Sequence, residues 1–167
     1  AGSSTSSIDT LKEHINSYCS DGKLEYVIAT HAHEDHIAAF TSTSSKKGIF
    51  ESYEIGTIID YAITDKTTQI KTKYEEYRQK AVEKGAIHHD ASYYFTNEVA
   101  NEFNSIKISE TITMDILYNK YYFEHSQDEN NYSVCIMINQ GDNHFLLTGD
   151  LEKEGEADIV RLYGESI

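Results

Sequence analysis

The sequence predicts a single mixed domain of the α+β class over residues 1–167, because strand-like and helix-like periodicities follow one another along the chain. Residues 24–29 form a β-branched, apolar run, which is typical of a buried strand that ends at Thr30. Two further apolar runs cover residues 132–139 and 144–150, and the turn residues between them predict a β-hairpin.

The remaining elements follow from the same patterns. Apolar residues at helical spacing predict helices over residues 8–18, 66–84 and 152–163, with a Ser/Thr-rich cap before the first and Gly85 ending the second. Shorter apolar runs predict strands over residues 55–61, 105–109 and 111–118.

The six residues after the first strand hold three imidazoles and a carboxylate: His31, His33, Asp35 and His36. We expect His31 and His33 to lie on a loop, and Asp35 and His36 on the first turn of a helix that Asp35 caps. The spacing differs from the helical zinc-protease motif, in which the histidines are four residues apart. Glu34 is expected to face away.

Ordinary surface histidines are the alternative, since the chain has eight, including the adjacent His88 and His89. Four ligand-type side chains in six positions directly after a buried strand favour a metal site instead.

Asp150 follows the second strand of the predicted hairpin. By itself it would be a turn former or a helix cap, but together with the histidines it is a candidate bridge between two cations. Imidazole and carboxylate without thiolate favour zinc, with manganese second. Asp35 is also the candidate catalytic residue, through proton transfer.

The run from His31 to His36 resembles the His-x-His-x-Asp-His signature of the metallo-β-lactamase superfamily, and residues 148–150 resemble its later bridging aspartate. Residues 130–134 and 145–156 are most similar to the metallo-β-lactamase-like domain of ComEC-type competence proteins. The resemblance implies an αββα sandwich and two divalent metal ions. His31 and His33 would bind the first ion, Asp35 and His36 the second, and Asp150 would bridge them.

The resemblance also implies an incomplete copy of the domain. The opening strand pair is expected before Ala1, whose neighbour Gly2 would end an early turn, and the final histidine ligand after Ile167. We therefore expect weak metal binding, poor catalysis by this chain and self-association through an unpaired sheet edge. For the middle ligand position, His125 and the Asn130/Asn131 segment stay open as alternatives, and His144 is disfavoured.

The formal net charge of −14 argues against a protein that follows nucleic acid with a broad basic surface. No apolar run is long enough to span a membrane, and localisation stays open. Cys19 and Cys135 are expected to be buried thiols.

Metal-dependent hydrolysis of a phosphodiester, either a small molecule or a nucleic acid, is the favoured function. Hydrolysis of a thioester, lactone or lactam at the same centre and a non-catalytic module of a larger competence-type protein are the alternatives.

Overall fold

The computed structural model describes residues 4–95 and 104–164, and its strands form two sheets. The first sheet is parallel, in the order β1 (Lys23–Ala29), β2 (Glu54–Asp60), β3 (Ile87–Asp90). The second is antiparallel, in the order β4 (Asn104–Lys107), β5 (Ile112–Leu117), β6 (Cys135–Gln140), β7 (Asn143–Leu147). The α+β class is thereby confirmed.

Helices surround the sheets. The α-helices are α1 (Ile8–Asn16), α2 (Glu34–Ile37), α3 (Ile49–Ser52), α4 (Gln69–Glu83) and α5 (Lys153–Tyr163). Short 3-10 turns cover Thr5–Ser7, Ala38–Phe40, Ala91–Tyr94, Lys120–Tyr122 and Glu129–Tyr132.

Three apolar cores lie in succession through the molecule. The first packs the helices on one face of β1 and β2, and is centred on Tyr74 of α4. The second lies between the two sheets, where Ile59 of β2 meets Ile116 of β5. The third packs Met137 of β6 against Ile159 of α5. Alternate residues of a strand point to opposite faces, so neighbours such as Ile58 and Ile59 enter different cores.

Helix α4 matches its predicted extent to within a few residues, and Gly85 ends it with a φ of 112°, as its position predicts. The first predicted helix is too long, because α1 ends at Asn16. Tyr18 is consequently 83% exposed. Cys19 is only partly buried in the following loop, where its thiol donates to the Lys23 carbonyl, so its prediction as a buried helical thiol is wrong. Cys135 is buried as expected.

The predicted hairpin forms, with two differences. Strand β6 begins only at Cys135, since the preceding Glu129–Tyr132 segment folds as a 3-10 turn. Strand β7 is exposed over its whole length, because it lies at the edge of its sheet. The apolar residues Phe145, Leu146 and Leu147 are therefore 41–55% exposed, which their apolar character does not indicate.

The predictions made for Ala1, Gly2 and Ile167 fall outside the described residues. Within residues 4–95 and 104–164, the structure contains no helix with the length and apolar character needed to cross a bilayer.

Candidate metal centre

The histidine cluster lies at the carboxyl end of β1, at the sheet edge where α/β folds place their sites. His31 is fully buried directly after the strand. Helix α2 begins with His33 as its N-cap residue, and the His33 carbonyl accepts from the His36 and Ile37 N–H groups. The expectation that Asp35 caps this helix is wrong: no side-chain cap bond forms, and the Asp35 carboxylate turns toward His36 instead.

His31 and His33 form the first pair of converging donors. Nε2 of His31 lies 2.9 Å from Nδ1 of His33, and the two rings meet edge to face. Two nitrogens that bind one zinc ion, each at about 2.0–2.1 Å, lie roughly 3 Å apart. The pair thus has the separation of two ligands to one metal.

His36 and Asp150 form the second pair. Nε2 of His36 lies 3.2 Å from Oδ2 of Asp150 and 3.7 Å from Oδ2 of Asp35. One ligand atom from each of His31, His36 and Asp150 lies within 4.8 Å of the others. The expectation that Asp150 lies beside the histidine cluster is confirmed. His33 and Asp35 are outside this mutually close group of three and extend it on either side.

A glycine turn carries Asp150 into the site. Gly149 has a φ of 59°, and a Cβ there would lie 2.9 Å from the Thr30 Cβ and 3.0 Å from the Ser133 hydroxyl oxygen. The turn therefore needs glycine for both its backbone conformation and its close approach to β1.

Two hydroxyl groups contact the Nδ1 atoms of the His31 and His36 imidazoles. The Thr30 hydroxyl lies 3.1 Å from Nδ1 of His31 and 3.2 Å from Nδ1 of His36. The Ser133 hydroxyl lies 3.4 Å from Nδ1 of His31 and accepts from the Asp150 backbone N–H at 3.2 Å. Sequence analysis assigned no role in the site to either hydroxyl. Such contacts fix the ring orientation of metal-binding histidines.

Burial, together with the nearby His36 and His33, lowers the pKa of His31 from 6.5 to about 4. The ring is consequently neutral near pH 7, which is the form of imidazole that binds metals. The donor set thus fits a divalent cation both in chemistry and in protonation.

A groove of about 570 Å³ leads to the cluster between the two sheets. One end is lined by Thr30, His36 and Asp150, whereas its walls are apolar. The wall residues are Ile28, Val134, Ile136, Leu146 and Leu147.

The candidates for the middle ligand differ in their surroundings. His125 is 78% exposed, with Nδ1 3.6 Å from the Asp65 carboxylate. Asn130 donates its amide to Glu152, yet the side-chain oxygens of both Asn130 and Asn131 are buried without a hydrogen-bond partner among the described residues. An amide oxygen in that state is available to an ion or a water. Which of the candidates takes the ligand position stays a prediction.

The remaining histidines on strands have other partners. His144 on β7 is exposed, with Nδ1 2.7 Å from the Asn139 side-chain oxygen. His88 on β3 lies 2.8 Å from the fully buried Asp60 carboxylate, which Arg78 also contacts. The sequence did not predict this contact of His88 with Asp60, because β3 itself was not predicted. Glu34 is exposed.

Comparison with models of known protein families gave no match for this chain, and a search among curated proteins found none that matches it. The geometry of the site therefore carries the functional argument.

Proposed function

We propose that this chain is a metal-dependent hydrolase of the metallo-β-lactamase type, with a dinuclear centre that hydrolyses phosphodiesters. His31 and His33 would hold the first divalent ion, His36 and Asp35 the second, and Asp150 would bridge them. Zinc is the favoured metal and manganese the second choice, since the donors are imidazole and carboxylate.

The convergence of the His31–His33 pair with Asp150, which comes from a distant part of the chain to meet His36, is the observation that supports this proposal. The His31–His33 separation of 2.9 Å and the His36–Asp150 separation of 3.2 Å are both ligand-to-ligand distances. The sequence of three cores also supports a sandwich of two sheets between helices, the αββα arrangement.

Each residue has a distinct part in the proposed reaction. When bound, the two cations would lower the pKa of a water molecule and stabilise negative charge that develops on the substrate. Neutral His31 would bind without first releasing a proton. The carboxylate of Asp35, whose side chain is 59% exposed beside His36, would accept the proton that the water molecule loses and pass it to the leaving group.

The phosphodiester assignment rests on the resemblance to the competence branch. Because the chain carries a net charge of −14, the metals would have to bind most of the substrate's negative charge. The second candidate is the hydrolysis of a thioester, lactone or lactam at the same centre. The apolar groove beside Asp150 favours it, because the groove would accommodate an acyl chain.

Zinc binding and turnover measured on the same preparations would test the proposal. The substrates are single-stranded DNA, bis(4-nitrophenyl) phosphate, an acyl thioester and a lactone. We expect slow, zinc-dependent phosphodiester cleavage that His31→Ala and Asp150→Ala both abolish. His144→Ala is the matched control, since it removes an exposed histidine outside the cluster.

Turnover confined to the thioester or lactone would support the second candidate. Zinc binding without any turnover would indicate a non-catalytic module. Absence of zinc binding, or turnover that both cluster variants retain, would contradict the proposal.

A further inference from the structure

Glu129 is a buried carboxylate that contacts the metal-binding loop. It is 6% exposed and begins the 3-10 turn Glu129–Tyr132. Its Oε1 accepts from the Ala32 backbone N–H at 3.3 Å and from the Thr64 hydroxyl at 2.6 Å. Its Oε2 accepts from the Asp65 backbone N–H at 3.2 Å.

Ala32 is the residue between His31 and His33, and it is itself 1% exposed. Its N–H belongs to the peptide group that joins it to His31. A rotation of that group would swing the two imidazoles relative to each other, and their nitrogens are only 2.9 Å apart. The bond to Glu129 therefore fixes the part of the backbone that determines the separation of this donor pair.

The buried negative charge of Glu129 also favours a cation at the histidine loop. Among residues 4–95 and 104–164, no lysine, arginine or histidine forms an ion pair with it, and three hydrogen-bond donors satisfy it instead. A buried anion that lacks a cationic partner costs stability unless it is well solvated by donors. A dication bound beside the loop would be attracted to this charge.

The same short segment also contacts the other half of the site. Ser133, directly after the turn that Glu129 begins, lies 3.4 Å from Nδ1 of His31 and accepts from the Asp150 N–H. Residues 129–133 thereby connect the histidine loop, the Asp150 turn and the loop after β2.

We propose that Glu129 is a positioning residue for the metal centre, which holds the Ala32 peptide so that His31 and His33 converge on one ion. This inference rests on the proposed function, since it concerns the same ions. Positioning groups behind metal ligands typically contribute 10–100-fold to metal affinity.

Titration of the chain with Zn²⁺ and Co²⁺ would test the role of Glu129. We expect Glu129→Ala to weaken zinc binding about 10–100-fold and to change the visible absorption of bound cobalt, which reports ligand geometry. Glu129→Gln keeps one oxygen acceptor for Ala32, so it should retain the cobalt spectrum of the wild type with a smaller loss of affinity. Asp115→Ala is the matched control, because it removes another buried carboxylate, one that bonds Asn139 on the second sheet.

A purely structural role would lower the thermal stability of Glu129→Ala and Asp115→Ala alike and leave the cobalt spectrum unchanged. That result, or wild-type zinc affinity in folded Glu129→Ala, would overturn the inference while leaving the metal centre in place. Should Glu129→Ala not fold, Glu129→Gln with wild-type affinity for both metals would overturn it equally. Failure of the wild type to bind either metal would instead refute the metal centre itself, and this inference with it.

Discussion

Nε2 of His36 lies 3.2 Å from Oδ2 of Asp150, although the two residues are 114 positions apart and follow strands of different sheets. His36 is on α2 after β1, and Asp150 follows the edge strand β7. The Val134 N–H, just before β6, donates a hydrogen bond to the Thr30 carbonyl, just after β1, and so joins the two sheets near this pair. The candidate site is therefore a product of how the two sheets meet.

Replacing Asp150 with Asn should lower zinc affinity by more than about 100-fold, because in the proposed centre Asp150 is a direct anionic ligand and not merely a supporting group. Equilibrium dialysis with zinc would measure the loss. Asp142→Asn removes an equal charge from the exposed tip of the hairpin and should leave affinity unchanged. Equal affinities in the two variants would show that Asp150 binds no metal.

Gly149→Ala should destabilise the protein by about 2–3 kcal/mol, since it combines a strained positive φ with contact against Thr30 and Ser133. Gly141→Ala is an unusually close control: its φ is also 59°, but nothing lies within 4 Å of the added Cβ. Its cost should be only about 1 kcal/mol. Urea denaturation of both variants provides the comparison, and equal losses would mean that the Asp150 turn is not tightly packed.

The stability of the metal-free protein should depend on the protonation of His31. Its pKa is about 4 in the folded chain against 6.5 when exposed, so the unfolded state binds the proton more tightly. The stabilisation that neutral His31 gives to the folded chain is therefore fully present above pH 6.5 and is lost as the pH falls to about 4. A shift of this size corresponds to about 3 kcal/mol.

Urea denaturation of the metal-free wild type and of His31→Gln between pH 7 and pH 4 would measure this contribution. The stability difference between the two proteins should change by about 3 kcal/mol across that range. His14→Gln replaces an exposed histidine of α1, and its free energy of unfolding should change with pH as that of the wild type does. Parallel curves for His31→Gln as well would contradict the buried, neutral state of His31.

The local patterns of the sequence predicted much of this fold and most of the site. The apolar run before Thr30 indicated β1, and the density of ligand-type residues after it indicated the cluster. The position of Asp150 also followed, because strand ends meet at one edge of a fold. These features are local, or depend on a simple rule of topology.

The parts that sequence analysis missed depend on packing between distant segments. Strand β3, with its adjacent histidines, has no apolar alternation and forms through parallel pairing with β2. Glu129 appears in the sequence as one acidic residue among many, and only the folded chain places it against Ala32 and Thr64. The exposure of β7 likewise depends on sheet order, which local patterns do not encode.

Self-association through β7 is a further expectation. The strand lies at a sheet edge, is exposed throughout and has no lysine, glutamate or proline to block pairing with another strand. We expect the mass measured by light scattering to rise with protein concentration, and Phe145→Lys to keep the chain monomeric. Tyr18→Lys, which alters an aromatic residue that is 83% exposed elsewhere, should still associate. A wild type that stays monomeric at high concentration would contradict this expectation.

Anomalous X-ray diffraction at the zinc absorption edge, from crystals soaked with zinc, would show directly whether the cluster binds two metal ions. We expect density at two positions, one about 2.0–2.1 Å from the ligand nitrogens of His31 and His33, and one at a similar distance from His36 and Asp150. Anomalous density that lies only elsewhere, for example beside His88 and Asp60, or no density at this cluster, would contradict the assignment of a metal centre.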